Sequence, residues 1–141
     1  MILDKLINCR IAEISRVCDL ICIRFISPNK KEISLHVQSF LRFLNGDKIL
    51  VCSDDMYRCL DGYDSESFEW DVPGKSVYDL SLKNSGIVDA NSTVIKCEKN
   101  SAGDLKIIFS DGMILQIIVN TVEKEEKYRI FDNTETFVLE S

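Results

Sequence analysis

A plan of short alternating strands and tight turns runs through this chain twice, and that repetition restricts the fold more than any other feature. In the first pass, Arg10 to Val17 is a strand candidate. Asp19 to Phe25 follows as a run of branched and aromatic residues, and it ends at the turn sequence Ser27-Pro28-Asn29-Lys30. Ile33, Leu35 and Val37 then alternate with Ser34, His36 and Gln38, the period-two pattern of a strand with one buried face. These runs are predicted to pair as a hairpin. Phe40 to Leu44 meets Asn45-Gly46, two residues that tolerate positive φ, and Ile49 to Cys52 leads away, which predicts a second hairpin.

The second pass repeats the order. Thr93 to Lys99 is the leading strand candidate, Asp104 to Ser110 echoes Asp19 to Ser27, and Asp111-Gly112 supplies the turn. Leu115 to Val119 echoes Leu35 to Gln38. Tyr128 to Asn133 followed by Thr136 to Ser141 matches Leu41 to Asn45 followed by Lys48 to Ser53. Each block has a short helical candidate upstream: Leu3, Leu6 and Ile7 share one face, and Ser76-Val77-Tyr78-Asp79 reads as a capping box with Gly86 placed to end the helix. The expected architecture is α+β, mainly antiparallel β, in a single domain over 1–141. Two similar halves of hairpins, about 1–53 and 76–141, are each preceded by a short helix and joined by a connection over 53–75. Chance alternation in a β-rich chain is the competing explanation of the echo.

At 141 residues with 45% hydrophobic and 28% charged side chains, the chain can bury a core without disulfide staples. Asp4 and Lys5 interrupt the first apolar run, and no later run approaches the ~20 residues that cross a bilayer, so a cytoplasmic protein without a membrane span is expected. In that compartment Cys9, Cys18, Cys22, Cys52, Cys59 and Cys97 read as reduced thiols. The sequon at Asn91-Ser92-Thr93 would then carry no glycan.

Catalytic signals are sparse. His36 is the only histidine, so any Ser-His, Cys-His or His-metal arrangement must use it, and its neighbours Ser34 and Gln38 describe an ordinary strand surface. No C-x-x-C pair offers zinc spacing. Gly74-Lys75-Ser76 has the end of a phosphate loop without its upstream glycine or strand, and no G-x-S-x-G occurs. Asp61 to Glu66 does not match the spacing of a calcium loop. The reading assigns no catalytic residue, metal or cofactor, and an enzyme is the least favoured of three classes.

Charge is concentrated in one place. Ser53 to Asp71 holds seven acids against one base, Arg58, a local charge of -6 that equals the net charge of the chain. A field of that sign disfavours direct nucleic-acid binding. The same stretch holds Tyr57, Tyr63, Phe68 and Trp70. Carboxylates steer a basic partner and aromatic rings anchor it, so the segment reads as a protein interface. The other reading is a solvated loop kept for solubility, with Phe68 and Trp70 folded back and the alternation Phe68, Trp70, Val72 laid on the core as a strand.

Several strings have a familiar look together: Cys18-Asp19-Leu20, Leu35-His36-Val37-Gln38, Ile49 to Tyr57, Phe68-Glu69-Trp70-Asp71, Gly103 to Gly112, Tyr128 to Phe131 and Phe137 to Glu140. From about Arg10 to Glu140 the chain resembles a family of small uncharacterised bacterial proteins, some of them encoded among polymorphic toxin and immunity genes. Ser39, after Gln38, stands where that family prefers cysteine or another residue. The resemblance implies no catalytic residue, and it favours the interface. The expected function is an immunity-type inhibitor that binds a toxin, often a basic nuclease domain. Asp54, Asp55, Asp61, Asp64, Glu66, Glu69 and Asp71 would steer and pair, and Tyr57, Tyr63 and Trp70 would anchor. The alternative is a structural or assembly protein that forms homodimers or larger homo-oligomers through exposed strand edges.

Overall fold

The computed structural model describes residues 1–140, so the Ser141 end of the last predicted strand lies outside the described residues. Ten strands form two five-stranded antiparallel sheets. The first half supplies β1 (Arg10–Val17), β2 (Leu20–Ile26), β3 (Glu32–Val37), β4 (Phe40–Asn45) and β5 (Lys48–Cys52). Helix α1 (Val77–Ser85) opens the second half, followed by β6 (Val94–Lys99), β7 (Leu105–Phe109), β8 (Met113–Ile118), β9 (Glu126–Phe131) and β10 (Thr136–Glu140). One sheet runs β1-β2-β3-β9-β10 and the other β6-β7-β8-β4-β5, so adding five to each strand number, cyclically, turns one order into the other.

The registers obey the same relation. Leu35 faces Ile130 across β3 and β9, and Leu115 faces Phe43 across β8 and β4. Near its start, β1 slips register after Ile11, which faces Phe25, and β6 slips after Val94, which faces Phe109. These paired slips leave one extra residue, Ala12 or Ile95, on each leading strand, a bulge that increases local twist. Each half therefore gives three strands to one sheet and its last hairpin to the other. The first change of sheet occurs at Gln38 and Ser39, whose backbone N–H groups both donate to the Lys127 carbonyl (2.9 and 3.1 Å).

Alternation makes the core. Along β2, β3, β7 and β8 every second residue is buried, and Phe25, Leu35, Phe43, Ile107, Leu115 and Ile130 belong to one cluster fed by both sheets. Burial of that order stabilises by roughly 1.5 to 3 kcal/mol per large side chain, which is why the alternating face decides the register.

The elements upstream of the two blocks differ from the expectation of a matching pair. Ile2–Leu6 is a 3₁₀ helix, in which Leu3 and Leu6 bury together at the three-residue repeat, and Asn8 (φ 72°) turns the chain straight into β1. Among the described residues only α1 is an α-helix. Its capping box is as read: the Ser76 hydroxyl accepts from the Asp79 N–H, the Asp79 carboxylate accepts from the Ser76 N–H, and Gly86 ends the helix at φ 70°. The second hairpin turns one residue later than Asn45-Gly46 suggests. Asn45 already pairs with Lys48, so Gly46-Asp47 makes the turn.

Candidate functional site

The acidic segment leaves β5 as a 3₁₀ helix, Ser53–Tyr57, and then forms a loop closed at its base. Cys59 bridges Ser76, and the Val77 N–H donates to the Arg58 carbonyl (2.9 Å), so residues 60–75 bulge outward between adjacent ends. No strand forms over Phe68, Trp70 and Val72, which corrects that part of the sequence reading. Phe68 is half-buried, while Trp70 and Val72 are exposed. Pairing of Cys59 with Ser76 and of Arg58 with Val77 uses the loop's base, and the intervening backbone follows turns in which the Asp64 carboxylate accepts from the Glu66 N–H (3.0 Å).

The anchors and acids expected from the sequence lie on this segment, all but Asp55 of them exposed. Tyr57 is 53% exposed, Tyr63 54% and Trp70 36%. Tyr57 and Trp70 meet with ring centroids 4.9 Å apart and planes at 56°, a tilted pair. Asp54, Asp61, Asp64, Glu66, Glu69 and Asp71 are exposed. Asp55 is half-buried and holds Arg58 at 3.0 Å, so the segment's one base is already neutralised. Tyr63 joins no ring pair and stands apart on the loop.

Two contributors escaped the sequence reading. Asp19, on the β1–β2 turn, lies near Tyr57: burial first, then the Asp19 and Asp54 carboxylates, raise the Tyr57 phenol above its ordinary value. The second is Arg16. Its side chain is 2% exposed, and it donates from Nε and Nη2 to the two Asp79 oxygens, both at 2.9 Å. It also donates to the carbonyls of Cys18 (2.8 Å) and Val72 (3.3 Å). Arg16 thus ties β1, α1 and the end of the acidic loop at one point. A signal existed, because Arg16 shares strand parity with Ile14 and Ile21 faces it, so a guanidinium on the inward side demands a partner.

Burial by itself would raise the Asp79 carboxyl. Hydrogen bonds from Arg16, from the Ser76 hydroxyl and from the Gly74 and Ser76 N–H groups outweigh it and hold the group at about 2. A depressed carboxyl adds stability above its unfolded value near 3.8, and that contribution is lost as pH falls through about 2. Urea titrations of the native chain should therefore lose about 2 kcal/mol between pH 5 and pH 2 that an Asp79→Asn variant does not lose. Equal pH slopes would remove Asp79 as the cause.

Elsewhere the chemistry is quieter. His36 sits half-buried on the outer face, edge-on to Phe131 at 5.0 Å. All six cysteines are free, and burial pushes the Cys97 thiol up to about 12. Among the described residues no group of three or more His, Cys, Asp or Glu side chains gathers as metal ligands, and no helix is long and apolar enough to cross a membrane. A cleft of about 890 Å³ opens between the β2–β3 turn and the β9–β10 turn. Its Lys5 is occupied by Asp132 (3.1 Å), Glu135 (3.4 Å) and Thr134 (3.0 Å).

The class defined by these features is a mainly antiparallel β protein of two five-stranded sheets with an outward acidic, aromatic loop. Comparison with protein families, curated proteins and solved structures finds no match to this chain.

Proposed function

We propose that this chain is a small cytoplasmic binding protein without catalytic activity, which docks the 53–75 segment on a basic surface of another protein. In its most concrete form it is an immunity-type inhibitor that covers a basic toxin domain. The observation that carries the reading is the Tyr57–Trp70 pair, two partly exposed rings inside the stretch Ser53 to Asp71, whose charge is -6. Rings of this size provide anchoring area with little side-chain entropy to lose, and the surrounding carboxylates attract cations before contact. The resemblance to a family of small bacterial proteins, some of them encoded among toxin and immunity genes, points in the same direction.

The test starts from the product of the adjacent reading frame. Reversing Asp54, Asp61 and Asp64 to lysine should slow association with a basic partner by more than about tenfold at low salt and flatten its salt dependence. Toxin protection and association rates equal to those of the unaltered chain would take the acidic segment out of the mechanism.

A further inference from the structure

One hairpin of this fold occurs in two copies of unequal length, and the longer copy walls a cleft. Across β2 and β3, Arg24 pairs with Ser34, and at the equivalent place in the other sheet Ile108 of β7 pairs with Ile114 of β8. Residues 25–33 lie between the first pair and only 109–113 between the second, so the β2–β3 turn carries four residues that its counterpart lacks. The longer turn holds Lys30-Lys31, the one place in the chain where two bases are consecutive. Both lysines line the cleft of about 890 Å³, which the β9–β10 turn and the N-terminal 3₁₀ helix also border.

Ser27 organises the backbone of this turn. Its N–H donates to the Lys31 carbonyl (2.9 Å), and its carbonyl accepts from the Lys30 N–H (3.0 Å). Its hydroxyl accepts from the Lys31 N–H (3.0 Å) and donates to Asn29 Oδ1 (2.6 Å). Lys30 is thereby held at φ 68°, in the left-handed region that favours glycine, and the counterpart turn does use glycine there, Gly112 at φ 89°. A lysine kept in that conformation is retained for its side chain rather than for the turn.

Most charges of the cleft are already matched. Among the lining acids, Asp132 holds Lys5 (3.1 Å), Glu32 holds Arg24 (3.0 Å), and Asp4 lies 3.7 Å from the terminal amino group. The Lys30 and Lys31 ammonium groups have no ion pair or hydrogen bond among the described residues. The carboxamides of Asn8 and Asn133 line the same cleft, also without partners there. Ile7, 37% exposed, and Pro28 add apolar surface. Free cations, amide donors and an apolar patch in one concavity make a site for a small anion with an apolar body. Lysine supplies a compact point charge instead of the planar fork that matches a carboxylate, and two side by side suit the dianion of a phosphate.

We propose that this cleft binds a small phosphomonoester, its phosphate on Lys30 and Lys31 with Asn8 and Asn133 as further donors, and its apolar body against Ile7 and Pro28. A volume of about 890 Å³ admits a molecule of nucleotide size. The site shares no residue with the 53–75 segment, so it is independent of the docking surface.

Amide chemical-shift titrations of the full chain with adenosine monophosphate read the site, with inorganic phosphate and adenosine as the two halves of that probe. Adenosine monophosphate should move the Asn8, Lys30, Lys31 and Thr134 amide signals together, with a dissociation constant of roughly 10 to 1,000 µM. Inorganic phosphate should move the Lys30 and Lys31 signals with about tenfold weaker affinity, and adenosine at the same concentrations should move none of the four. Lys30→Gly suits the backbone at φ 68° and removes the cation, so binding should weaken by about tenfold while the melting temperature stays nearly unchanged. Lys30→Gly/Lys31→Ala should abolish binding in a folded chain. No response of the cleft signals to phosphate or adenosine monophosphate up to about 10 mM, an equal response to adenosine, or a folded double variant that binds as before overturns the inference.

Discussion

Replacing Arg16 by methionine is expected to destabilise the chain by about 3 kcal/mol, the range for removing one member of a buried ion pair. The loss comes from what stays behind. Asp79 keeps its bonds to Gly74 and Ser76, yet its oxygens lose the guanidinium that offsets their burial, and the carbonyls of Cys18 and Val72 lose a donor. Methionine keeps most of the volume, so the change in packing is small. Chemical denaturation measures the stability, and Trp70, the only tryptophan, reports on the loop because it lies two residues before Val72. Its emission should shift to the red in the folded variant as the loop end comes loose. A variant with native stability and native emission would show that the Asp79 cap alone holds this corner.

Trp70→Ala carries the largest expected effect on binding. A central aromatic anchor typically accounts for 2 kcal/mol or more of an interface, so affinity for a basic partner should fall by about thirtyfold or more. Tyr57→Ala should cost nearly as much, and the double variant should cost less than the sum, because the rings support each other at 4.9 Å. Folding stability should change by no more than about 1 kcal/mol, since Trp70 is partly exposed and outside the core cluster. Isothermal titration separates the two effects. Tyr63→Ala is the internal comparison: it lies on the same loop without a ring partner, and its loss should be the smaller one. An equal fall at Tyr63 would spread the anchor over the whole loop and deny the ring pair its special role.

These two results are linked through Arg16. Its bond to the Val72 carbonyl fixes the loop's exit, and Asp79, which it grips, caps the helix that follows. Arg16→Met should therefore weaken binding as well, through loss of a preorganised Trp70 rather than through any contact with the partner.

Much of this protein was legible residue by residue. Period-two alternation located the strands because one face of each had to be buried, and Arg10 to Val17 coincides with β1 from end to end. The capping box and Gly86 were legible because caps depend on neighbours three or four residues away. Failures occurred where a local pattern met a non-local competitor. Phe68, Trp70 and Val72 alternate like a strand, but the loop is closed by Cys59, Ser76 and Arg58, which leaves no adjacent strand to receive those hydrogen bonds. Leu3, Leu6 and Ile7 suit an α-helix, but Asn8 at φ 72° turns the chain into β1 directly after a 3₁₀ turn that buries Leu3 and Leu6. In the candidate site, the acids and rings could be named from composition, whereas Asp19 and Arg16 could not, because their place there is made by a turn and a strand far off in sequence.

Local order in the chain determined which segments are strands, which face of each is apolar, where the helix starts and stops, and where the charge is concentrated, since each depends on residues within a few positions. Only the tertiary structure decided that each half lends its last hairpin to the other sheet. That exchange rests on β3 meeting β9 and β8 meeting β4, pairings between residues about half a chain length or more apart. Hydrogen bonding between backbones is indifferent to sequence, so either half could have kept its own hairpin. The joint burial of Leu35 with Ile130 and Leu115 with Phe43 in one shared core selects the arrangement in which both sheets close together.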